Sequence, residues 1–129
     1  MKRVFYFIAA LSVLICSCDK ETDIEPISQL EALKIVESYY LDNDYDVFIS
    51  ESIIPGKTKI LCSETISSPS YDGWLVFIDE HPGANWEHTC KLIFINVKTG
   101  EYNVIEEKFP PDISGLTLIY QKENGIKID

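Results

Sequence analysis

The pattern of apolar and polar residues changes its period along the chain, and each period predicts a different element. Near the N-terminus, residues 4–15 are apolar except for Ser12. A run of about a dozen residues is too short for a membrane-spanning helix, which needs about 20. With Lys2 and Arg3 before it, the segment is typical of the hydrophobic part of a signal peptide.

This apolar segment ends in ICSC, which resembles the lipobox of bacterial lipoproteins. A lipobox places an apolar residue at −3 and a small residue at −1 before an obligatory cysteine. Ile15 and Ser17 satisfy both positions when Cys18 is the acceptor, whereas Cys16 as acceptor puts bulky Ile15 at −1. The resemblance implies that residues 1–17 are a signal peptide and that Cys18 carries the lipid. An ordinary cleaved signal peptide and an uncleaved anchor are the alternatives.

Residues 18–27 are polar and acidic, so we expect a flexible tether between the lipid and the folded domain. Its first part, DKETD (19–23), resembles the surface-export signal of Bacteroidetes lipoproteins. This implies a cell-envelope protein that is lipid-anchored to the outer membrane and exposed on the cell surface. A domain that faces the periplasm is the alternative.

The next segment has the period of an amphipathic helix. Ser28 and Glu31 have the spacing of a capping box, which favours a helix that begins at this serine. Asn43 and Asp44 mark its predicted end. The apolar face is predicted to consist of Leu30, Ala32, Leu33, Ile35, Val36, Tyr39 and Tyr40.

Beyond the helix the apolar period becomes two, which is typical of half-buried strands. Residues 45–54 and 59–62 flank the turn pair Pro55-Gly56 and predict a hairpin, followed by a loop over residues 63–73. Further strands are predicted at 74–78, 90–97, 101–105 and 116–120, with a terminal hairpin at Asn124-Gly125. Residues 28–129 are therefore predicted to form one α+β domain, in which an N-terminal amphipathic helix packs on an antiparallel β-sheet of five to seven strands.

Size and charge limit the classes of function. The chain has 129 residues, and removal of residues 1–17 leaves enough for a single domain with a core. Its 11 basic and 21 acidic residues give a net charge of −10, which becomes more negative when Lys2 and Arg3 are removed. This acidity argues against nucleic acid as a partner, because phosphates bind Lys and Arg. It is compatible with a cationic partner surface, and it also keeps a small domain soluble.

Cys62 and Cys90 are the cysteines that remain in the mature domain. An even pair of cysteines in an exported protein favours a disulfide, which would contribute about 3 kcal/mol to stability. The alternatives are two buried thiols or one reactive nucleophile.

Three segments together resemble the PepSY domains: the helix EALKIVESYY (31–40), the tryptophan strand at 74–78 and the hairpin INVKTGEYNVI (95–105). Gly100 would supply the positive φ that the turn of this hairpin requires. PepSY domains occur in peptidase propeptides and in exported proteins that are thought to restrain peptidases. Together with the lipid anchor, the small size and the absence of a catalytic constellation, the resemblance favours a non-enzymatic, membrane-anchored binding protein without a cofactor, whose partner is a secreted peptidase. The alternative is a structural or surface-interaction module of a larger cell-envelope assembly.

Residues 79–90 depart from the PepSY pattern, which has a much shorter link at this point. The segment holds both histidines of the chain. We single out His81, Trp86, Glu87 and His88 as a candidate recognition loop, because an exposed tryptophan is a frequent anchor of protein interfaces. The alternative is that the tryptophan folds back over one end of the core.

The residue types of this loop also occur in metal sites and in cysteine catalysis. His81, Glu87 and His88 are residue types that Zn²⁺ accepts, but their spacing matches no established zinc pattern. Cys90 and His88 could form a nucleophile and a base, but no third orienting group is apparent in the sequence. We therefore predict no metal-binding and no catalytic residues.

The lipid anchor is directly testable by mass spectrometry of the mature protein. We expect the N-terminal residue to be Cys18, with its mass increased by covalently attached lipid. An unmodified Cys18, or cleavage at a different position, would contradict the assignment as a lipoprotein.

Overall fold

The computed structural model describes residues 24–84, 86–112, 115–121 and 126–127. The predicted signal peptide, Cys18 and most of the predicted tether lie outside the described residues. A helix, α1, spans Gln29–Ile35 and is followed by a short 3₁₀ helix, Glu37–Tyr39. Both precede all of the described strands along the chain.

Eight strands make up the rest of the described fold: β1 (Asp46–Ser50), β2 (Ile60–Cys62), β3 (Thr65–Ser67), β4 (Gly73–Asp79), β5 (Cys90–Asn96), β6 (Tyr102–Glu107), β7 (Leu116–Gln121) and β8 (Ile126–Lys127). Six of them form one sheet in the order β6-β5-β4-β1-β7-β8, and β2 pairs with β3 in a separate two-stranded ribbon. All of these pairings are antiparallel. The α+β class is therefore confirmed, with the strands in two sheets instead of one.

The helix begins as predicted and ends early. Ser28 Oγ accepts the Glu31 N–H at 3.2 Å, and the Ser28 N–H donates to the Glu31 carboxylate at 2.8 Å, so the capping box is confirmed. The α-helix ends at Ile35, because Val36 has a non-helical backbone (φ −107°, ψ 8°). The prediction of a helix up to Asn43-Asp44 was wrong, since β-branched and aromatic residues favour the helix only weakly at this point.

One face of the helical segment packs on the sheet. Ala32, Val36 and Tyr40, at a spacing of four, are buried, whereas Leu30 is 74% exposed. The prediction that Leu30 belongs to the buried face was therefore wrong. On the sheet, the first core cluster contains Val47, Ile49, Trp74, Val76, Ile78, Ile93 and Ile95. The indole N–H of Trp74 donates to the Ile27 carbonyl at 2.7 Å, which satisfies the polar atom of this buried side chain.

The predicted hairpin between residues 45–54 and 59–62 was also wrong. β1 lies between β4 and β7, whereas β2 pairs with β3, inside the segment that was predicted to be a loop. The alternating pattern of a strand shows which face is buried, but it does not identify the neighbouring strand. Here the deciding factor is that Ile60 and Cys62 are needed to cover the second face of the sheet.

That second face carries its own core cluster. Ile60 and Cys62 of the ribbon pack with Leu75, Phe77, Cys90, Leu92 and Phe94 of the sheet and with Ile54. β4 and β5 are consequently covered by the helix on one face and by the ribbon on the other. This explains why both strands have almost continuously apolar sequences, since a strand buried on both faces has no solvent-facing positions.

The chain enters the domain at the turn between β5 and β6. The Ile27 N–H donates to the Val97 carbonyl at 2.8 Å. Gly100 closes the turn with φ +73°, as predicted, and a Cβ on it would lie 3.2 Å from Ile27 and 3.3 Å from Ile35. We call this end of the sheet, residues 97–100, the entry end.

Candidate functional site

The candidate loop lies at the other end of the sheet. Asp79, the last residue of β4, pairs with Cys90, the first residue of β5, and the loop connects them. From Cys90 to the entry end the chain runs the length of β5, which spans about 20 Å at a strand rise of ~3.3 Å per residue. We call the end that carries residues 79–90 the loop end.

His88 is fixed by hydrogen bonds at both of its ring nitrogens. Nδ1 lies 2.7 Å from the Trp86 carbonyl oxygen, and Nε2 lies 2.7 Å from the Asp79 carboxylate. Both partners can only accept, so the ring satisfies both contacts when both nitrogens are protonated. The side chain is only 12% exposed. The bond to the Trp86 carbonyl and the adjacent Asp79 carboxylate raise the pKa of His88, against the opposing effect of burial.

Asp79 also fixes the beginning of the loop. Its carboxylate accepts the backbone N–H of His81 at 3.0 Å, in addition to its contact with His88. The two histidine rings meet edge to face, with centroids 5.9 Å apart. One carboxylate therefore joins the two ends of the loop, which reduces the number of conformations available to the residues between them.

Two ion pairs flank this arrangement. Lys91 contacts Glu80 in a partly buried pair, and Lys108 lies 3.0 Å from Glu87. The second pair is exposed to solvent on both sides, so it contributes little to stability. These contacts hold the sides of the loop without covering its tip.

Trp86 projects from the loop into solvent. Its side chain is 73% exposed, although its carbonyl oxygen is held by His88. The alternative in which this tryptophan covers one end of the core is therefore wrong. A large apolar side chain is displayed on a backbone that is fixed by hydrogen bonds.

The structure gives no support to a metal site in the loop. Within the described part of the chain, no three His, Cys, Asp or Glu side chains are grouped so that they could hold an ion. Both ring nitrogens of His88 are already engaged, and Glu87 is paired with Lys108. His88 and Glu87 therefore have other partners, and His81 is exposed to solvent.

Cys62 and Cys90 are free and buried, so the predicted disulfide is contradicted and the alternative of two buried thiols is correct. Burial is the main cause that raises the pKa of Cys62 to about 11 and that of Cys90 to about 12. Cys90 donates to the Glu107 carbonyl at 3.2 Å instead of pairing with His88. A thiol with such a pKa is a poor nucleophile, because the reactive form is the thiolate.

Sequence analysis missed two features near these residues. The first is the pairing of Asp79 with His88, which depends on the register of β4 against β5. The second is a pair of clefts of about 450 and 290 Å³ beside β6, which share Tyr71 and Asn103 in their walls. The Tyr71 hydroxyl donates to the Phe94 carbonyl at 3.0 Å and accepts from the Asn103 amide at 3.2 Å. No local signal in the sequence indicates either feature.

The contacts of His88 predict a pH dependence. Because the folded state raises the pKa of His88 above its ordinary 6.5, its contribution to stability is complete below pH 6.5 and is lost as the pH rises through the raised value. An NMR titration of the ring protons should give this raised pKa directly. Asp79→Asn should lower it, whereas Glu25→Gln, which removes a carboxylate near the entry end, should not. Equal pKa values for His88 in the two variants would show that the pair with Asp79 does not form.

The state of the cysteines predicts a distinct labelling pattern. In the native protein at pH 8, Cys62 and Cys90 should resist a thiol reagent, because they are buried and protonated. In denaturant without reductant, both should become labelled. A disulfide would leave both unlabelled in denaturant, and a reactive nucleophile would be labelled in the native state, so each alternative gives a different result.

Comparison with known proteins identifies no relative of this chain. No protein-family model matches it, and neither the curated proteins nor the solved structures contain a match. Within the described residues, no helix combines the length and the apolarity needed to cross a bilayer.

Proposed function

We propose that the protein is a non-enzymatic binding protein of the cell envelope, anchored by lipid at Cys18 to the outer membrane, which binds and restrains a secreted peptidase through residues 79–90. The observation that carries the proposal is the position of Trp86. This side chain is exposed at the end of the sheet opposite to the point where the chain enters the domain.

The geometry supports recognition away from the membrane. A lipid at Cys18 and the tether that follows would hold the entry end near the bilayer, since Ile27 is bonded to Val97 there. The loop end lies about 20 Å further out along β5 at ~3.3 Å per residue. Trp86 would then face the solution, where a secreted protein could reach it.

The chemistry of the loop end indicates the kind of partner. Several acidic residues belong to the loop end: Asp79, Glu80 and Glu87 from the loop, and Glu106 and Glu107 opposite the start of β5. A partner surface with Lys or Arg beside an apolar pocket would complement these charges. The face of an indole also attracts such cations directly. The hydrogen bond from His88 to the Trp86 carbonyl holds the backbone at that residue, which reduces the ordering that binding would require there.

Two further observations support this proposal. Both thiols of the domain are buried with raised pKa values, which favours a binding role over cysteine catalysis. The PepSY-like assignment is part of the proposal, and it is supported by the helix on the sheet and by the β5–β6 hairpin closed at Gly100. In that comparison residues 79–90 are an insertion, which makes them a natural place for specificity.

Substitution of Trp86 tests the proposal. A secreted peptidase from the same cells should be inhibited by the full chain, and Trp86→Ala should weaken the inhibition by about 30-fold, since a buried interface tryptophan is worth ~2 kcal/mol or more. Leu30→Ala is the matched control, because Leu30 is equally exposed and lies near the entry end. It should leave the inhibition constant unchanged.

The experiment separates the proposal from its main competitor. Equal inhibition constants for the two variants would rule out Trp86 as the anchor. If no secreted peptidase is inhibited and the chain instead remains in an envelope complex after gentle solubilisation, the protein is a structural module of that assembly.

A further inference from the structure

In the described part of the chain, β6 forms one edge of the sheet, and its outer side has no strand neighbour. β6 is a terminal strand of the sheet, and its six residues, YNVIEE, pair with β5 in an uninterrupted register. Proteins usually protect such edges with proline, lysine, a bulge or a very short strand. β6 has six residues without proline, lysine or a bulge, and its charged residues are Glu106 and the buried Glu107. At the opposite edge, β8 is described over Ile126–Lys127.

The hydrogen-bonding groups of this edge follow from the register. The Asn96 N–H donates to the Glu101 carbonyl at 2.7 Å, which places Glu101 in a position bonded to the neighbouring strand. In an antiparallel pair, bonded and outward-facing positions alternate. The N–H and C=O groups of Tyr102, Val104 and Glu106 therefore point away from β5, and no other described strand pairs with them.

Side-chain sites flank the edge on both faces of the sheet. On the ribbon face lie the two clefts that share Tyr71 and Asn103, and the smaller cleft is also lined by Ser67, Phe94 and Ile105. On the helix face, the rings of Tyr39 and Tyr102 meet edge to face with centroids 5.9 Å apart. Successive side chains of a strand point to opposite faces of the sheet. In a strand added to β6, every second side chain would therefore lie over the clefts, and the side chains between them would lie over Tyr39 and Tyr102.

We propose that β6 binds an extended, cationic peptide segment of a partner protein as an additional antiparallel strand. The backbone groups of Tyr102, Val104 and Glu106 supply the hydrogen bonds, as in other cases of strand addition. Glu101 and Glu106 are exposed at the two ends of the edge and select Lys or Arg in the added segment. A second copy of this chain fits less well, because it would bring the same acids together in a chain of net charge −10. The proposal depends neither on the lipid anchor nor on Trp86.

A synthetic peptide tests the proposal on the full chain in detergent micelles. The probe is an acetylated and amidated hexapeptide of alternating lysine and valine. It should slow hydrogen exchange at the amides of Tyr102, Val104 and Glu106, and it should bind the chain in a fluorescence anisotropy titration. The same peptide with N-methyl groups on every backbone amide cannot donate to β6 from either of its edges and should bind at least about tenfold more weakly. Equal binding of the two peptides would overturn strand addition.

Two variants distinguish the edge from general charge attraction. Glu106→Lys should weaken binding of the lysine peptide several-fold. Glu51→Lys is the control, because it makes the same charge change next to the end of β1, which β5 and β4 separate from β6 in the sheet. This control should have little effect on binding. Equal weakening by both would overturn the proposal.

A proline variant tests the backbone hydrogen bonds of the edge. Val104→Pro removes an outward N–H that makes no bond to β5, and it should abolish the slowed exchange of the neighbouring edge amides.

The free protein provides the last comparison. Sedimentation should give a single chain per micelle, with fast exchange at the β6 amides before the peptide is added. A dimer with these amides already protected would show that a second copy occupies the edge, and it would overturn the assignment of this surface to a partner peptide.

Discussion

The burial of β4 and β5 on both faces is the constraint on which the rest of the structure depends. Among the described residues, the two strands supply more than half of the buried apolar side chains, and neither face can be left in water. Ala32 and Val36 of the helical segment cover one face, and Ile60 and Cys62 of the ribbon cover the other. The helical segment and the separate ribbon both serve this requirement through the side chains that they place on the sheet.

This layered core also fixes the two ends of the domain. The register of β4 against β5 places Asp79 beside Cys90, so the loop between them must leave and return at the same edge of the core. The same register brings Asp79 within 2.7 Å of His88. The entry of the chain at Val97 is set by the opposite end of β5. A pair of seven-residue strands thus determines both where the loop is displayed and how far it lies from the chain entry.

The two surfaces proposed for binding offer different kinds of contact. The loop end presents one large side chain, Trp86, on a backbone that His88 holds in place, which suits a partner with an apolar pocket. The edge of β6 presents backbone groups and shallow clefts, which suit an extended segment. Glu106 and Glu107 lie opposite the first residues of β5, so the acidic end of β6 adjoins the loop end. A single basic partner could therefore contact both surfaces, with the loop engaging a folded surface and β6 a flexible strand of it.

The sequence by itself determined the local features of this protein. Ser28 and Glu31 specified the start of the helix, Gly100 specified a turn with positive φ, and unbroken apolar runs identified β4 and β5 as buried strands. The end of the helix, the partner of β2 and the free state of the cysteines were decided only by the tertiary structure. Each of these features depends on which surfaces of the chain come into contact. Cys62 and Cys90, for example, pack in one apolar cluster as free thiols. The exposure of Leu30, an apolar residue that faces solvent, was decided in the same way. The contact of His88 with Asp79 arises from the register of β4 against β5, and the position of β6 at an edge arises from the order of the strands. No local pattern in the sequence encodes either the register or the order.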